Sequence, residues 1–228
     1  MKKTKFISIV LTLGGLWGLL EATLGTLLHL PSIHSIIFFA STAILLPIAY
    51  LITSRSYQLT NKASTVIYVG IVAALIKSVT FVFGLPIQYF INPMVAIMLE
   101  SLVMFVAFKV TKHEKIISLK SFVTFIVVST IFRVTYVGYS IATSAPFGSA
   151  YFVEGSIVID EIVKYCFITN IISFAYLGIF MGLGTLLIYL EKHEKFSKFT
   201  SKVSSLTYSP IFASLVVCVA VVTTLFLK

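Results

Sequence analysis

The chain has 228 residues, of which 58% are hydrophobic and only 11% charged, and its mean hydropathy is +1.05. Soluble domains run near 45–50% apolar and about 25% charged, so this balance excludes a water-soluble globular fold and points to an all-α, polytopic membrane helix bundle. Apolar runs of roughly 20 residues exclude a β-barrel, whose strands alternate over about 10, and the net charge of +9 sits in short connections between those runs, as an orientation signal and not a nucleic-acid face.

A membrane-crossing helix needs about 20 predominantly apolar residues. Seven stretches qualify: 6–28, 33–53, 64–85, 89–110, 121–143, 162–190 and 210–227. They form one transmembrane domain over 1–228, read as a six-helix core within 1–200 plus an extra C-terminal span within 208–228. Lys2, Lys3 and Lys5 before the first run resemble the start of a signal peptide. No small-x-small cleavage site follows and the run is long, so an uncleaved first span is expected.

The first span carries a row of small residues and one carboxylate. Gly15, Gly18, Ala22 and Gly25 fall on one helical face, and Gly14, Gly18 and Ala22 also fit a small-xxx-small pattern. Such faces let a second helix approach closely, within the chain or from another protein. Glu21 lies beside that seam, next to the single Trp of the chain, Trp17. Ala175, Gly178, Gly182 and Thr185 make a similar seam on the sixth span.

Lysine and arginine alternate sides. Lys2, Lys3 and Lys5 precede the first span, Arg55 and Lys62 follow the second, Lys109, Lys112, Lys115 and Lys120 follow the fourth, and Lys192, Lys195, Lys198 and Lys202 follow the sixth. The connections at 29–32, 86–88 and 144–160 contain neither residue. By the positive-inside rule this is a multi-pass protein of the cell membrane with a cytoplasmic N-terminus and, after seven spans, an outer C-terminus. The connection 144–160 is long enough to form a lid or an interfacial loop with an aromatic belt. Two prolines, Gln88 and Asn92 around 84–93 suggest an outer turn or a partly unwound helix start.

Glu21, Lys77, Glu100 and Arg133 lie deep within spans, none of them in the inner half. A carboxylate at the centre of a membrane helix costs at least about 2.5 kcal/mol and persists where it meets a partner or a polar cavity. Structural ion pairs and an outward-facing binding cavity are both open on this pattern. Ser129, Arg133, Tyr136 and Ser140 recur at helical spacing as one polar stripe on the fifth span, more than a single ion pair requires. Glu161, at the outer entrance of the sixth span, either joins that cavity or pairs with Lys164 one turn on. The candidate binding residues are thus Glu21, Lys77, Glu100, Arg133, Tyr136 and Glu161.

The chain contains no Walker motif, no HExxH and no GxSxG, so no catalytic residues, metal ligands or cofactors are expected. His29 and His34 flank the first outer turn and give only a weak metal signal, and Cys166 and Cys218 read as structural thiols within apolar runs.

The first-span seam, the outward-placed polar groups, the segments Gly18–Gly25 and Asn92–Glu100, and the lack of an ATPase motif together resemble the substrate-binding (S) components of energy-coupling factor (ECF) transporters. The resemblance covers the first six spans, and the seventh departs from a family core of six. It implies a small-molecule substrate, vitamin-like or metal-related, bound near the outer side. It also implies energy supplied by separate ATPases and a membrane coupling protein that docks on Gly14, Gly18 and Ala22. Besides this uptake component, two other classes fit the residues: an integral membrane enzyme or accessory subunit acting on a lipid-linked substrate, and a stand-alone ion-coupled carrier. Membrane lipid is a partner in every case, and nucleic acid in none.

Overall fold

A computed structural model describes residues 3–28, 40–79, 81, 88–112, 116–143, 152–153, 156–191 and 194–226. The architecture is an all-α helix bundle. Helix α1 spans Lys3–Leu28, α2 Ala40–Thr60, α3 Ser64–Ser78, α4 Gln88–Thr111 and α5 Leu119–Ala142. A two-residue antiparallel pair, β1 Phe152–Val153 and β2 Ser156–Ile157, precedes the long helix α6, Ile159–Leu190, in which Lys164–Ile168 form a π-helical turn. Helices α7, Glu194–Leu206, and α8, Pro210–Phe226, complete the chain.

Among the described residues, four helices, α1, α4, α5 and α6, are long and apolar enough to cross a membrane, and α8 makes a fifth if it is joined with the end of α7 across an 80° bend. Seven spans were expected; residues 33–39 of the second and 80 and 82–85 of the third lie outside the described residues. The described part of the second is in α2, whose second half turns polar through Thr53, Ser54, Arg55, Ser56 and Gln58. The described part of the third is the 15-residue helix α3 and the few residues after it. The connection between the sixth and seventh runs, expected as a loop, is largely the helix α7. The chain is helical from Gln88 onward, through Pro93, whereas 82–87, 144–151, His29 and His34 lie outside the described residues.

Hydroxyls that the membrane cannot solvate bond back to the helix that carries them. Thr53 Oγ1 donates to the Ala49 carbonyl at 2.8 Å and Thr124 Oγ1 to that of Lys120 at 2.8 Å. The core gathers Trp17, Leu46, Tyr50, Ile97, Met104, Phe108, Phe125, Phe132 and Leu177, all buried. Tyr50 fixes α2 against α4 and α5. Its ring meets Phe108 and Phe125 edge-on, with centroids 5.4 and 5.1 Å away, and its hydroxyl donates to the Ser121 carbonyl at 2.8 Å.

Helix α1 is the hub, packed on α2, α3 and α8. Its small residues explain how. A Cβ added at Gly14 would stand 2.6 Å from Val72 Cβ, and one at Gly18 would stand 2.9 Å from Ile76 Cδ1, both on α3. A Cβ at Gly15 would stand 2.9 Å from Val216 Cγ1 on α8. Ala22 is 2% exposed. The seam at Gly14, Gly18 and Ala22, open on the sequence to packing within the chain or to a docking protein, is packed within the chain, against α3 at Gly14 and Gly18. In lipid, helices associate where backbones fit closely, and the valine-rich face of α3 fits here. The seam on α6 differs: Ala175, Gly178, Gly182 and Thr185 are exposed, and among the described residues nothing stands within 4 Å of a Cβ at Gly178 or Gly182.

The contacts also give direction. Phe6 meets Tyr68 and Gly18 meets Ile76, so α1 and α3 run parallel. Lys5 Nζ lies 3.9 Å from the Tyr208 ring centroid and Gly15 meets Val216, so α8 runs parallel to α1 as well. Helices α5 and α6 are antiparallel, with Phe125 against Phe174 and Arg133 against Ser173. One end of the bundle thus collects Lys5, Lys62, Lys109 and Lys120, together with the elbow before α8.

Candidate functional site

At 1.5 Å per residue, Glu21, Lys77, Glu100 and Arg133 stand about 17–27 Å along their helices from that basic end. Four different helices bring them to similar depth, and their charges are felt in sequence across the bundle. Lys77 on α3 acts on Glu21 on α1, Glu21 acts on Glu100 on α4, and Arg133 on α5 acts on Glu100. Two carboxylates and two cations from four different helices thus lie near one another at comparable depth.

Each member is held differently. Trp17 Nε1 donates to Glu21 Oε1 at 3.4 Å, one turn away on the same helix. Glu100 is 5% exposed, and its Oε2 is buried with no hydrogen-bond partner among the described residues. Arg133 is fully buried and engaged by α6. Its Nη2 donates to Ser173 Oγ at 2.6 Å and to the Thr169 carbonyl at 3.4 Å, and its Nε donates to Asn170 Oδ1 at 3.4 Å. Its guanidinium carbon stands 4.9 Å from the centroid of the Tyr165 ring. Asn170 is shared, accepting from Ser129 Oγ and donating to Thr130 Oγ1 at 3.0 Å.

This network explains the polar stripe on α5, since Ser129 and Arg133 both point into α6. It also coincides with the π-helical turn Lys164–Ile168, a local widening of the kind found at functional sites in helices. Tyr136 belongs to a row of aromatic rings. Its centroid is 5.9 Å from Phe132, 6.0 Å from Tyr139 and 6.1 Å from Tyr165. Glu100 acts electrostatically on Tyr136, and Tyr139 donates its hydroxyl to Asn92 Oδ1 at 3.1 Å. An acid, a guanidinium, several phenols and an amide thus border one region among α4, α5 and α6, with Glu21 and Lys77 extending it toward α1 and α3.

Glu161 is placed otherwise. Its Oε1 accepts from Lys164 Nζ at 2.7 Å, an exposed i,i+3 ion pair one turn beyond Tyr165. Asn92, Tyr139, Tyr165, Thr169, Asn170 and Ser173 are neutral, and neither charge nor the stripe on the fifth span marks them as binding residues. Thr169, Asn170 and Ser173 do share one helical face of the sixth span, the same signal that marks Ser129 and Arg133 on the fifth. A groove of about 190 Å³ elsewhere, lined by Ile67, Val95, Met98, Leu99, Ser101 and Leu102, is apolar and shares no residue with this cluster. Among the described residues, no group of three or more His, Cys, Asp or Glu is placed to hold a metal ion. Comparison with protein-family models, with curated proteins and with solved structures returns no match for this chain.

Proposed function

We propose that the chain is a multi-pass component of a solute-uptake system in the cell membrane. It binds a small polar or charged molecule from the outer side, in the region bounded by Glu21, Lys77, Glu100, Arg133 and Tyr136. The observation that carries this reading is Glu100 Oε2, a buried carboxylate oxygen with no hydrogen-bond partner among the described residues, near a row of tyrosines and a second acid, Glu21. A polar atom left unsatisfied inside a membrane-spanning helix is costly, and a bound solute offering a donor would satisfy it. Arg133 is anchored to α6 by neutral partners. It serves as a positioned positive charge for an anionic group, with Lys77 as a second, less directional one. The N-terminus is cytoplasmic and the C-terminus outside, as the parallel packing of α1 and α8 supports.

Energy from a separate coupling protein and ATPases is what the resemblance to ECF substrate-binding components implies. The occupied α1 seam favours a second reading, a carrier that works alone, because the face expected to dock the coupling protein is covered by α3. Uptake assays separate the two. A dependent component transports only when co-expressed with its partners, whereas a carrier transports in proteoliposomes by itself. Binding is tested directly by identifying the small molecule that copurifies with the gently solubilised protein and measuring its affinity for wild type and Glu100→Gln. Equal retention by both proteins would remove the site from the region proposed.

A further inference from the structure

Helix α7 belongs neither to the bundle core nor to the polar cluster. It is 13 residues long, about 20 Å at the standard helical rise. At 100° per residue, the positions of Phe196, Phe199, Val203 and Leu206 fall within one arc of about 80°, and those of Lys195, Lys198 and Lys202 fall in the arc beside it. Glu194, Thr200 and four serines occupy the remainder. Val203 and Leu206 are 48% and 37% exposed, so the chain leaves this apolar arc at least partly uncovered.

The end of α7 meets α8 at 80°, and the elbow is built into the chain. Tyr208 N donates to the Ser205 carbonyl at 3.1 Å and Ser209 N to that of Leu206 at 2.9 Å. Ser209 Oγ then accepts from Phe212 N at 3.4 Å as an N-cap, with Pro210 at the first helical position. Lys5 over the Tyr208 ring ties the elbow to the start of α1. The end of α7 is thus held nearly perpendicular to α8, at the basic end of the bundle.

We infer that α7 is an in-plane interfacial helix that binds anionic phospholipid, with the apolar arc that includes Val203 and Leu206 at the acyl boundary and the lysine arc at the headgroup phosphates. The match is one of charge and geometry. An apolar arc edged by lysines is the pattern that holds a helix at an anionic interface, and each lysine near such a surface strengthens binding roughly fivefold.

The test uses the full-length protein in detergent, titrated with phosphatidylglycerol or phosphatidylcholine and read by native mass spectrometry. Wild type should retain phosphatidylglycerol preferentially. The Lys195→Gln/Lys198→Gln/Lys202→Gln variant should need on the order of a hundredfold more of it, and the corresponding triple arginine variant should behave as wild type. Lys109→Gln/Lys112→Gln/Lys120→Gln, with the same change in charge, should weaken retention much less. The inference is overturned if wild type shows no preference, if the two glutamine triples weaken retention equally, or if the α7 triple loses an acidic protein partner while lipid retention is unchanged. Hydrogen exchange of 194–206 in nanodiscs should slow when phosphatidylglycerol is added to wild type and stay constant in the α7 glutamine triple.

Discussion

The seam on α1 offers the sharpest test of how this bundle is held together. In Gly14→Ala the new methyl would stand 2.6 Å from Val72 Cβ, 2.8 Å from Val72 Cγ1 and 2.9 Å from the Val69 carbonyl oxygen, where ordinary contact begins near 3.4 Å. Val72 is β-branched and the third neighbour is backbone, so neither can swing aside as the end of a flexible chain could. The helices must separate, and overpacking of this kind costs about 1–3 kcal/mol. Gly178→Ala on α6 makes the same chemical change where nothing among the described residues stands within 4 Å. It should leave stability unchanged or raise it slightly through helix propensity. The assay is reversible unfolding of the purified protein in mixed micelles, read by helical circular dichroism. Gly14→Ala should shift the folding equilibrium by roughly fivefold or more toward the unfolded state. If Gly14→Ala and Gly178→Ala unfold alike, and only assembly with another protein is lost in the former, the internal-packing argument is wrong and the seam is a docking face after all.

Four further outcomes follow from the same geometry. Asn170→Leu removes one partner from Ser129, Thr130 and Arg133 together, and should cost about 2–3 kcal/mol in the same unfolding assay. Ser173→Ala, which removes a single charge-assisted bond, should cost about 1.5 kcal/mol. Glu100→Gln keeps the shape of a side chain whose Oε2 has no hydrogen-bond partner among the described residues. It should therefore fold as wild type while binding of the copurified solute weakens at least about tenfold, an energy of one charge-assisted hydrogen bond, measurable by calorimetry. Because α8 runs parallel to α1, topology reporters fused to the two chain ends should report opposite sides of the membrane, and reporters on the same side would rule out the crossing of α8.

Much of the candidate site was legible before any coordinates, because a bilayer makes charge conspicuous. Glu21, Lys77, Glu100 and Arg133 stand out within apolar runs, and counting residues from the ends of each run already puts them at similar depth. The partners of Arg133 were not legible. Thr169, Asn170 and Ser173 are neutral, and their value lies in facing α5 across an antiparallel contact. Glu161 shows the reverse case: its charge drew attention, yet its neighbour Lys164 engages it locally.

The two small-residue seams mark the limit most clearly. Both are readable as glycine and alanine at three- and four-residue spacing, and the spacing is the same whether a helix covers them or not. The amino-acid sequence determined that this is an all-α membrane bundle, where its apolar runs lie and which end is basic, since those depend on composition measured against a bilayer. Only the tertiary structure decided that α3 fills the seam on α1 while the one on α6 stays open. It alone brought four charges from four helices near one another, and turned the basic connection before α8 into a helix bent 80° from α8. Association between helices in lipid depends on shape and on neutral hydrogen bonds, and neither leaves a trace in hydropathy.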